Sequence, residues 1–349
     1  MAEKHKFFPS NPHQIVKELG SEVLTEALKK MLLIRNFEIR AETGYQMGKI
    51  GGFFHAYIGQ EAVQTAAVLA SGVDQWWVTT YRCHALALLL GATPNEVMAE
   101  LYGKSTGNAL GRGGSMHLFT ERLLGGHGIV GGQIPIGTGA AFTIKYLQKM
   151  NIPSGPQVSY CFMGDGAVAQ GSFHESLNLA SLWDLPCIYV IENNKWGMGT
   201  HVNRALSVEN IADAKAPGYG MKSYTLDGMD FFNCYAGFKA IHEETVRTSR
   251  PCLVEVYTER FRGHSISDPG LYRTKDSLNQ CMERDPILML SKFMKLEKML
   301  TDEQFEKMDD EAKAVVMESM KFADQSPWPD LSTLEEDVFA PPAKGDSNG

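Results

Sequence analysis

The sequence predicts an α/β protein built on a doubly wound, mostly parallel sheet with flanking helices. Apolar runs of strand length alternate along the chain with longer segments of helical period. In the centre, the run VSYCFM, a segment of helix length and the run PCIYVIE follow one another as in a βαβ unit. Polar residues come directly after both runs. Because ligands bind outside the carboxyl ends of parallel strands, we expect the functional site there.

The bulk composition limits the classes of protein to which the chain can belong. Its 349 residues suffice for one large domain, which we place at 14–331 with C-terminal helices at 285–325. A flexible tail at 1–13 and a tail at 332–349, disordered at its end, flank this domain. The net charge of −8 predicts neither a nucleic acid nor a membrane partner. No apolar run approaches the roughly 20 residues of a membrane span.

Cysteine usage and the N-terminus bear on the compartment. The six cysteines are scattered and form no C-x-x-C pair, so we expect reduced, buried thiols. The N-terminal stretch MAEKHKFFPSNPHQ has the features of neither a secretory signal nor an Arg-rich transit peptide. Both observations favour the cytoplasm of a bacterium over a processed organellar chain.

Helices dominate the N-terminal part. Apolar positions from Gln14 to about Met47 follow a helical period and predict one or two long helices. Charges of alternating sign between Arg35 and Glu42 favour a solvated face over a subunit contact. A Gly-Gly pair then breaks the helix, and Gly-Gln-Glu starts another. The strand-like run DQWWVTT leads into a helix at YRCHALALLL, where Arg82 suits a phosphate clamp and a structural ion pair equally well.

Residues 103–133 are rich in glycine. A long loop of this kind inside a compact domain is typically functional, and GGHGIVGG can bring backbone groups against a flat heteroaromatic ring. The next segment, IPIGTGAAFTIKYLQKM, is a predicted helix. Its small residues, Gly137, Gly139, Ala140 and Ala141, permit close packing, either in the core or against another subunit.

The second half of the chain continues the alternation. We predict a strand at MKSYTL, a helix from about Phe231 to Arg247 capped by Asp230, and a buried strand at PCLVEVYT. The polar loop ERFRGHSISDPGLYRTKD follows, and its length favours a functional loop over a mobile surface loop. The chain then returns to helices, the last with a capping box at Thr301 and Gln304.

The central βαβ unit carries the chemically most informative residues. Asp165 follows its first strand, and the pair Asn193-Asn194 follows its second. These side chains offer the oxygen ligands that Mg²⁺ prefers, and the glycines beside Asp165 allow a diphosphate to approach the backbone N–H groups. The alternative is a dinucleotide-binding Rossmann turn, for which GDGAVA and Glu192 would serve. An aspartate facing the pyrophosphate argues against that alternative.

Several separate motifs, in the right order from about Leu24 to Leu331, resemble one family. They are FFHAYIGQEAV, TTYRCHALALL, GRGGSMH, GGHGIVGGQIPIGTG, the unit from GDG to NN with NKWGMGT, and RFRGHSISDPGLYR. The chain resembles the α subunits of the thiamine diphosphate-dependent 2-oxo acid dehydrogenase E1 component, and among them those that act on pyruvate. The resemblance implies the diphosphate-binding half of a thiamine diphosphate-binding fold.

The resemblance also implies roles for individual residues. Mg²⁺ would be bound by Asp165, Asn194 and the backbone carbonyl of Trp196. The remaining cofactor contacts would come from Arg82 and His264 to the diphosphate, from the amides of Gly166 and Ala167, and from Tyr81, Gly128 and Val130 to the aminopyrimidine. His55, with Phe53 beside it, would stand near the thiazolium and the substrate. His55 and His264 are the expected catalytic residues.

The implied activity needs partners. The resemblance implies an α2β2 heterotetramer that decarboxylates pyruvate and acetylates the lipoyl group of E2, with a glutamate of the β subunit activating the cofactor. We therefore expect the chain alone to be inactive. Acetoin and branched-chain 2-oxo acid dehydrogenases are alternatives, and GHSISDPG favours pyruvate over the branched-chain substrates. Ser265 occupies a position phosphorylated in eukaryotic relatives, and we expect no such regulation in a bacterial chain. An NAD-dependent oxidoreductase is the alternative of another class.

Overall fold

The structure is a computed structural model, and it describes residues 5–336. The helices are α1 (Pro12–Gln46), α2 (Glu61–Ser71), α3 (His84–Leu89), α4 (Pro94–Leu101), α5 (Gln133–Lys149), α6 (Gly171–Leu182), α7 (Val202–Ala205), α8 (Ile211–Lys215), α9 (Phe231–Thr248), α10 (Lys275–Met282), α11 (Pro286–Leu296) and α12 (Asp302–Gln325). The strands are β1 (Trp76–Thr80), β2 (Leu123–His127), β3 (Ser159–Gly164), β4 (Cys187–Asn193), β5 (Trp196–Gly197), β6 (Thr200–His201), β7 (Lys222–Asp227) and β8 (Cys252–Tyr257).

Six of these strands form one parallel sheet in the order β2-β1-β3-β4-β8-β7. Strands β5 and β6 pair separately as a short antiparallel hairpin. Side chains alternate between the two faces of the sheet. In β3, Tyr160 and Phe162 pack into the core formed with α1, α2 and α9, whereas Cys161 and Met163 pack into the core formed with α5 and α6. Helices on both faces of a parallel sheet confirm the predicted fold class.

The direction in which the chain crosses the sheet changes between β1 and β3. From β1 the chain continues outward to β2, and from β3 it continues to β4 on the opposite side. The loops that follow β1 and β3 therefore diverge and leave a crevice at the carboxyl edge of the sheet. The residues after β1 are Tyr81 and Arg82, and those after β3 begin with Asp165.

Most predicted elements form close to their predicted bounds. The two strands of the central unit, the strands now named β7 and β8 and the cap of α9 are present, with Asp230 accepting from the N–H groups of Phe232 and Asn233. Thr301 and Gln304 form the predicted capping box of α12. The long N-terminal helix contains Gly20 with φ of 77°, where two helices meet at a kink.

Seven elements are additional to those predicted, namely the strands β2, β5 and β6 and the helices α4, α7, α8 and α10. Strand β2 has the sequence LLGGH, in which glycines hide the strand pattern. A Cβ added to Gly126 would lie 2.5 Å from Sγ of Cys83, so close packing in the fold requires the glycine. Helix α10 lies at the end of a segment that we expected to be a loop.

The charged residues at 35–42 do not form the solvated face that we expected. Glu38 is fully buried, and its carboxylate accepts a hydrogen bond from Nδ1 of His84 at 3.0 Å. Arg35 and Glu42 form ion pairs with residues distant in the sequence. The expectation was wrong because an alternating charge pattern does not reveal oppositely charged groups that other segments bring to the helix.

The ends of the described chain are tied to the domain. The N–H of Phe8 donates to the carbonyl of Thr225 in β7 at 2.8 Å, and Asn11 caps α1. Residues 1–4 and 337–349, which include the outer parts of both predicted tails, lie outside the described residues, and the division into tails and one domain stays a prediction. All six cysteines are buried and free of disulfides. No helix within residues 5–336 is both long and apolar enough to cross a lipid bilayer.

Candidate active site

A cavity of about 380 Å³ opens at the carboxyl edge of the sheet, where β1 and β3 diverge. Nine of the predicted site residues line it: Tyr81, Arg82, Val130, Asp165, Gly166, Ala167, Asn194, Trp196 and His264. Three others, Phe53, His55 and Gly128, lie outside its lining. The fold thus brings together residues from five separate stretches of the chain, each of which was singled out in the sequence.

Asp165 and Asn194 sit at the ends of the adjacent strands β3 and β4. Asp165 is 3% exposed, and burial raises the pKa of its carboxyl to about 6. Asn194 is held at both ends of its amide, because Oδ1 accepts from the N–H of Trp196 and Nδ2 donates to Oε1 of Gln60, each at 3.3 Å. The turn after β3 lies against the β5 strand, since a Cβ on Gly166 would be 3.6 Å from Cα of Gly197.

These groups offer oxygen atoms that could hold a cation together with other ligands. Within residues 5–336, no three His, Cys, Asp or Glu side chains cluster as metal ligands. A cation bound beside Asp165 would therefore take its other ligands from neutral oxygens and from a bound molecule. Mg²⁺ is held in this way, by one or two carboxylates together with substrate phosphates and water. Burial of an uncompensated carboxylate is costly, and a cation would relieve that cost.

Two buried guanidinium groups give the cavity a positive character. Arg82 is 5% exposed and donates from Nη1 to the carbonyl of Ala56 at 2.7 Å and from Nη2 to that of His264 at 2.6 Å. Arg260 is 1% exposed and donates to the hydroxyl of Tyr272 at 2.7 Å. Among residues 5–336, neither arginine has a carboxylate partner. Arg260 is attracted by Asp165 and Arg82 by Glu192 in the same cavity, but neither forms an ion pair among those residues, so both remain available to an anionic ligand such as a diphosphate.

Both predicted catalytic histidines are kept neutral by this environment. Burial, followed by the charge of Arg82, lowers the pKa of His55 and of His264 to about 3. The two rings lie 5.1 Å apart, and the ring of Tyr81 lies 4.4 Å from His55. Nδ1 of His55 is buried without a hydrogen-bond partner among the described residues. Phe53 is 64% exposed at the rim, with its ring 6.3 Å from that of His55.

The glycine-rich segment is organised by one buried carboxylate. Glu100, at the end of α4, is fully buried and accepts hydrogen bonds from four backbone N–H groups. The donors are Ala109, Gly111, Gly113 and Gly114, at 2.8 to 3.0 Å. Further along, Val130 lines the cavity, whereas Gly128 faces His117, whose ring atoms would lie 3.3 Å from an added Cβ.

Several lining residues were missed as site residues by sequence reasoning. They are Gln60, His127, Gln133 and Arg260. Three of them carry a buried polar atom with no partner among the described residues, namely Nε2 of Gln60, Nε2 of His127 and Oε1 of Gln133. A signal was available for all four, because Gln60 lies in FFHAYIGQEAV, His127 and Gln133 lie in GGHGIVGGQIPIGTG, and Arg260 opens RFRGHSISDPGLYR. The motifs located these segments but did not show which of their polar side chains face the cavity.

Glu192 was expected to bind a ribose in the NAD alternative. In the structure its carboxylate accepts from the hydroxyl of Tyr57 and from Nε2 of Gln64, and burial raises its pKa to about 7. The carboxylate of Glu192 is thus engaged by the protein rather than left for a ribose. Together with the two arginines in the same cavity that form no ion pair within residues 5–336, this arrangement suits a metal-linked diphosphate better than a dinucleotide.

Comparison with known proteins agrees with this chemistry. The family described as dehydrogenase E1 component matches residues 29–332. The chain is 43% identical over 320 residues to the pyruvate dehydrogenase E1 component subunit alpha of Rickettsia felis, covering 91% of this chain and 96% of that protein. It is 41% identical to the protein of that name from Rhizobium meliloti, covering 93% and 92%, and 41% identical to a chloroplastic alpha-3 subunit from Oryza sativa, covering 92% and 76%. The chain therefore belongs to the dehydrogenase E1 component family.

Proposed function

We propose that the chain is the α subunit of a pyruvate dehydrogenase E1 component. With a β subunit it catalyses the thiamine diphosphate- and Mg²⁺-dependent oxidative decarboxylation of pyruvate and the reductive acetylation of the lipoyl group of E2. One observation carries the proposal: two buried arginines, which form no ion pair among the described residues, share one cavity with the buried carboxylate of Asp165. That combination suits a diphosphate bound through a cation, and relatives named as this subunit match almost the whole chain.

The proposed cofactor-binding residues divide into three sets, which contact Mg²⁺, the diphosphate and the aminopyrimidine. Asp165, Asn194 and the carbonyl of Trp196 hold Mg²⁺, and Arg82 and His264 hold the diphosphate, assisted by the N–H groups of Gly166 and Ala167. Tyr81, Gly128 and Val130 contact the aminopyrimidine. When bound, thiamine diphosphate supplies the electron sink that makes loss of CO₂ from a 2-oxo acid possible. Arg260 adds a second buried positive charge on the diphosphate side of the cavity.

His55 acts near the substrate and His264 beside the diphosphate, both in their neutral forms. A neutral imidazole can donate from one ring nitrogen and accept at the other, so it can hold or pass a proton at ordinary pH. His55 has a free ring nitrogen for this purpose in Nδ1. Burial, together with the neighbouring positive charge of Arg82, keeps the pKa of both rings low and so disfavours their protonated forms.

A β subunit completes the site, in an α2β2 heterotetramer that also binds E2. Helix α5 supports this proposal, because it presents Phe142 and Tyr146, exposed by 46% and 52%, on its outer face. Gly139 on the same helix has no atom within 4 Å of an added Cβ, whereas Gly137 contacts Cys161 of the core. Helix α5 therefore packs against the core at Gly137 and exposes an apolar face at Phe142 and Tyr146. Exposed apolar patches of this kind are typical of protein interfaces.

The substrate and the compartment follow from the relatives rather than from the cavity. Bacterial relatives named as pyruvate dehydrogenase subunits favour pyruvate over acetoin and branched-chain 2-oxo acids, and favour the cytoplasm of a bacterium. Plant chloroplast relatives at similar identity leave a processed organellar chain as the alternative.

Co-expression with a β-type partner tests the proposed function. The purified complex is assayed for CO₂ release from pyruvate and branched-chain 2-oxo acids and for acetaldehyde release from acetoin, which has no carboxyl group to lose, with and without thiamine diphosphate and Mg²⁺. We expect turnover with pyruvate that requires both additions, and none from the α chain alone. Decarboxylation by the isolated α chain, or turnover by the complex without thiamine diphosphate, would contradict the proposal.

A further inference from the structure

Gln60 is the residue that links the cation side of the cavity to its diphosphate side. It precedes the first turn of α2, it is 1% exposed, and it lines the cavity together with Asp165, Asn194 and Arg82. Its amide oxygen accepts from Nδ2 of Asn194 at 3.3 Å. Its amide nitrogen is buried and has no acceptor among residues 5–336.

The backbone at Gln60 is fixed by contacts on both sides. Gly59 has φ of +100°, and a Cβ there would lie 2.4 Å from the carbonyl oxygen of Glu259, so only glycine allows this close approach. The N–H of Gly59 donates to the buried carboxylate of Glu61, which also pairs with Arg35. The amide of Gln60 is therefore presented to the cavity from a rigid turn.

The orientation of Asn194 depends on its two hydrogen bonds. The N–H of Trp196 can only donate, so the atom of Asn194 that faces it must be Oδ1. Nδ2 then needs an acceptor, and Gln60 supplies it. With Nδ2 engaged in this way, Oδ1 keeps its second lone pair for a cation. Groups that orient a metal ligand in this way strongly influence metal affinity.

The amide nitrogen of Gln60 needs a different explanation. A buried donor without an acceptor costs free energy, and such groups in folded proteins usually indicate a ligand or water that satisfies them. The acceptor must reach a cavity that contains two guanidinium groups without an ion pair among the described residues. An anionic oxygen of a bound diphosphate meets this requirement.

We propose that Gln60 is a further cofactor-binding residue, which orients Asn194 for Mg²⁺ through its amide oxygen and donates to the diphosphate through its amide nitrogen. The inference rests on the proposed function. Two substitutions separate the two roles. Gln60→Glu keeps an acceptor for Asn194 and removes the donor, whereas Gln60→Met keeps the length of the side chain and removes both. Gln75→Met is the matched control, because Gln75 is also a buried glutamine, and its amide accepts from the N–H groups of Gln157 and Val158 outside the cavity lining.

The experiment measures cofactor binding by the αβ complex through quenching of tryptophan fluorescence, since Trp196 lines the cavity. Mg²⁺ is titrated at fixed thiamine diphosphate, and thiamine diphosphate is titrated at saturating Mg²⁺. We expect Gln60→Met to weaken both affinities about tenfold or more. Gln60→Glu should weaken only thiamine diphosphate binding, and Gln75→Met should bind both as the wild type does. Melting temperatures of the three variants identify any that fails to fold.

The possible outcomes separate this inference from the function on which it rests. If the wild-type complex binds no thiamine diphosphate, the proposed function fails. If the wild type binds and Gln60→Met binds equally well, the role of Gln60 is overturned. Should Gln60→Met fail to fold, Gln60→Glu decides alone, because unchanged thiamine diphosphate affinity in that variant would exclude the donor role.

Discussion

Arg82 donates from Nη2 to the main-chain oxygen of His264 at 2.6 Å, although 182 residues separate the two in the sequence. The other terminal nitrogen of Arg82 donates to the carbonyl of Ala56. One guanidinium group thus joins the segment that carries His55 to the segment that carries His264. Its planar shape serves this purpose, because it directs donors to two carbonyls at once while keeping its charge in the cavity.

Replacing Arg82 with lysine should weaken thiamine diphosphate binding while the charge is retained. A lysine ammonium is a point charge that cannot reproduce the planar fork, so we expect affinity to fall by about tenfold, a difference of roughly 1.4 kcal/mol. The measurement is fluorescence titration of the αβ complex. Arg122→Lys, at a surface arginine that lies outside the cavity lining, is the control. Equal affinities for wild type and Arg82→Lys would show that charge alone suffices.

Asp165→Ala should abolish Mg²⁺-dependent binding of thiamine diphosphate without destabilising the cofactor-free protein. The carboxylate is buried with its pKa raised by burial, so its removal eliminates an uncompensated charge. We expect an unchanged or higher melting temperature without cofactor, and no stabilisation on adding Mg²⁺ and thiamine diphosphate. Asp74→Ala, at a side chain that is 77% exposed, serves as the comparison. Metal-independent cofactor binding by Asp165→Ala would favour the dinucleotide alternative.

His55 should lower the stability of the cofactor-free protein as the pH falls below 6.5, against the opposite contribution of Asp165 and Glu192, whose pKa values burial raises to about 6 and 7. His55 has its pKa lowered to about 3 in the folded protein, against an ordinary value of 6.5. Between these values the unfolded chain binds a proton that the folded protein does not bind, so acidification favours unfolding, and above pH 6.5 this contribution is absent. The pKa of His264 is likewise lowered to about 3, so this residue also lowers the stability of the folded protein on acidification.

His55→Gln tests the origin of that dependence. Melting temperatures are measured between pH 5 and 7.5, and the variant should lose less stability on acidification than the wild type. His13→Gln, at a side chain that is 65% exposed, is the matched control and should follow the wild type. Identical pH dependence of wild type and His55→Gln would mean that the imidazole of His55 is not shielded from protonation.

Glu100→Gln should destabilise the glycine-rich segment. The substitution keeps the size of the side chain but places an amide NH₂ against backbone donors that need an acceptor. Loss of one partner in a buried charged network costs about 3 kcal/mol or more, which for a chain of 349 residues lowers the melting temperature by about 4 °C. Glu121→Gln, at a side chain that is 88% exposed, should change it little. A stable Glu100→Gln variant would show that the loop is held by other contacts.

Local sequence was sufficient for the fold class and for the centre of the site. The strands of the central unit are apolar runs that need no knowledge of distant residues, and parallel strands place Asp165 and Asn194 at the same edge. The caps of α9 and α12 were equally local, since each joins residues two or three positions apart. Strand β2 was missed because the fold, through the close approach of Cys83, requires glycine where a strand would ordinarily carry a side chain.

The sequence alone therefore determined an α/β sheet and a family, and it predicted a cation and diphosphate site at the edge of that sheet. Tertiary structure decided which of the remaining polar residues complete that site. Gln60 and Arg260 lie in recognised motifs, but only the packed fold shows that their side chains line the cavity, and Glu38 is buried although its helix alternates in charge as an exposed helix does. The reason is physical, because hydrogen-bond partners that are far apart in the chain meet only when the sheet and its helices pack. Once a polar group is buried in this way, it needs a hydrogen-bond partner in the protein or in a bound ligand.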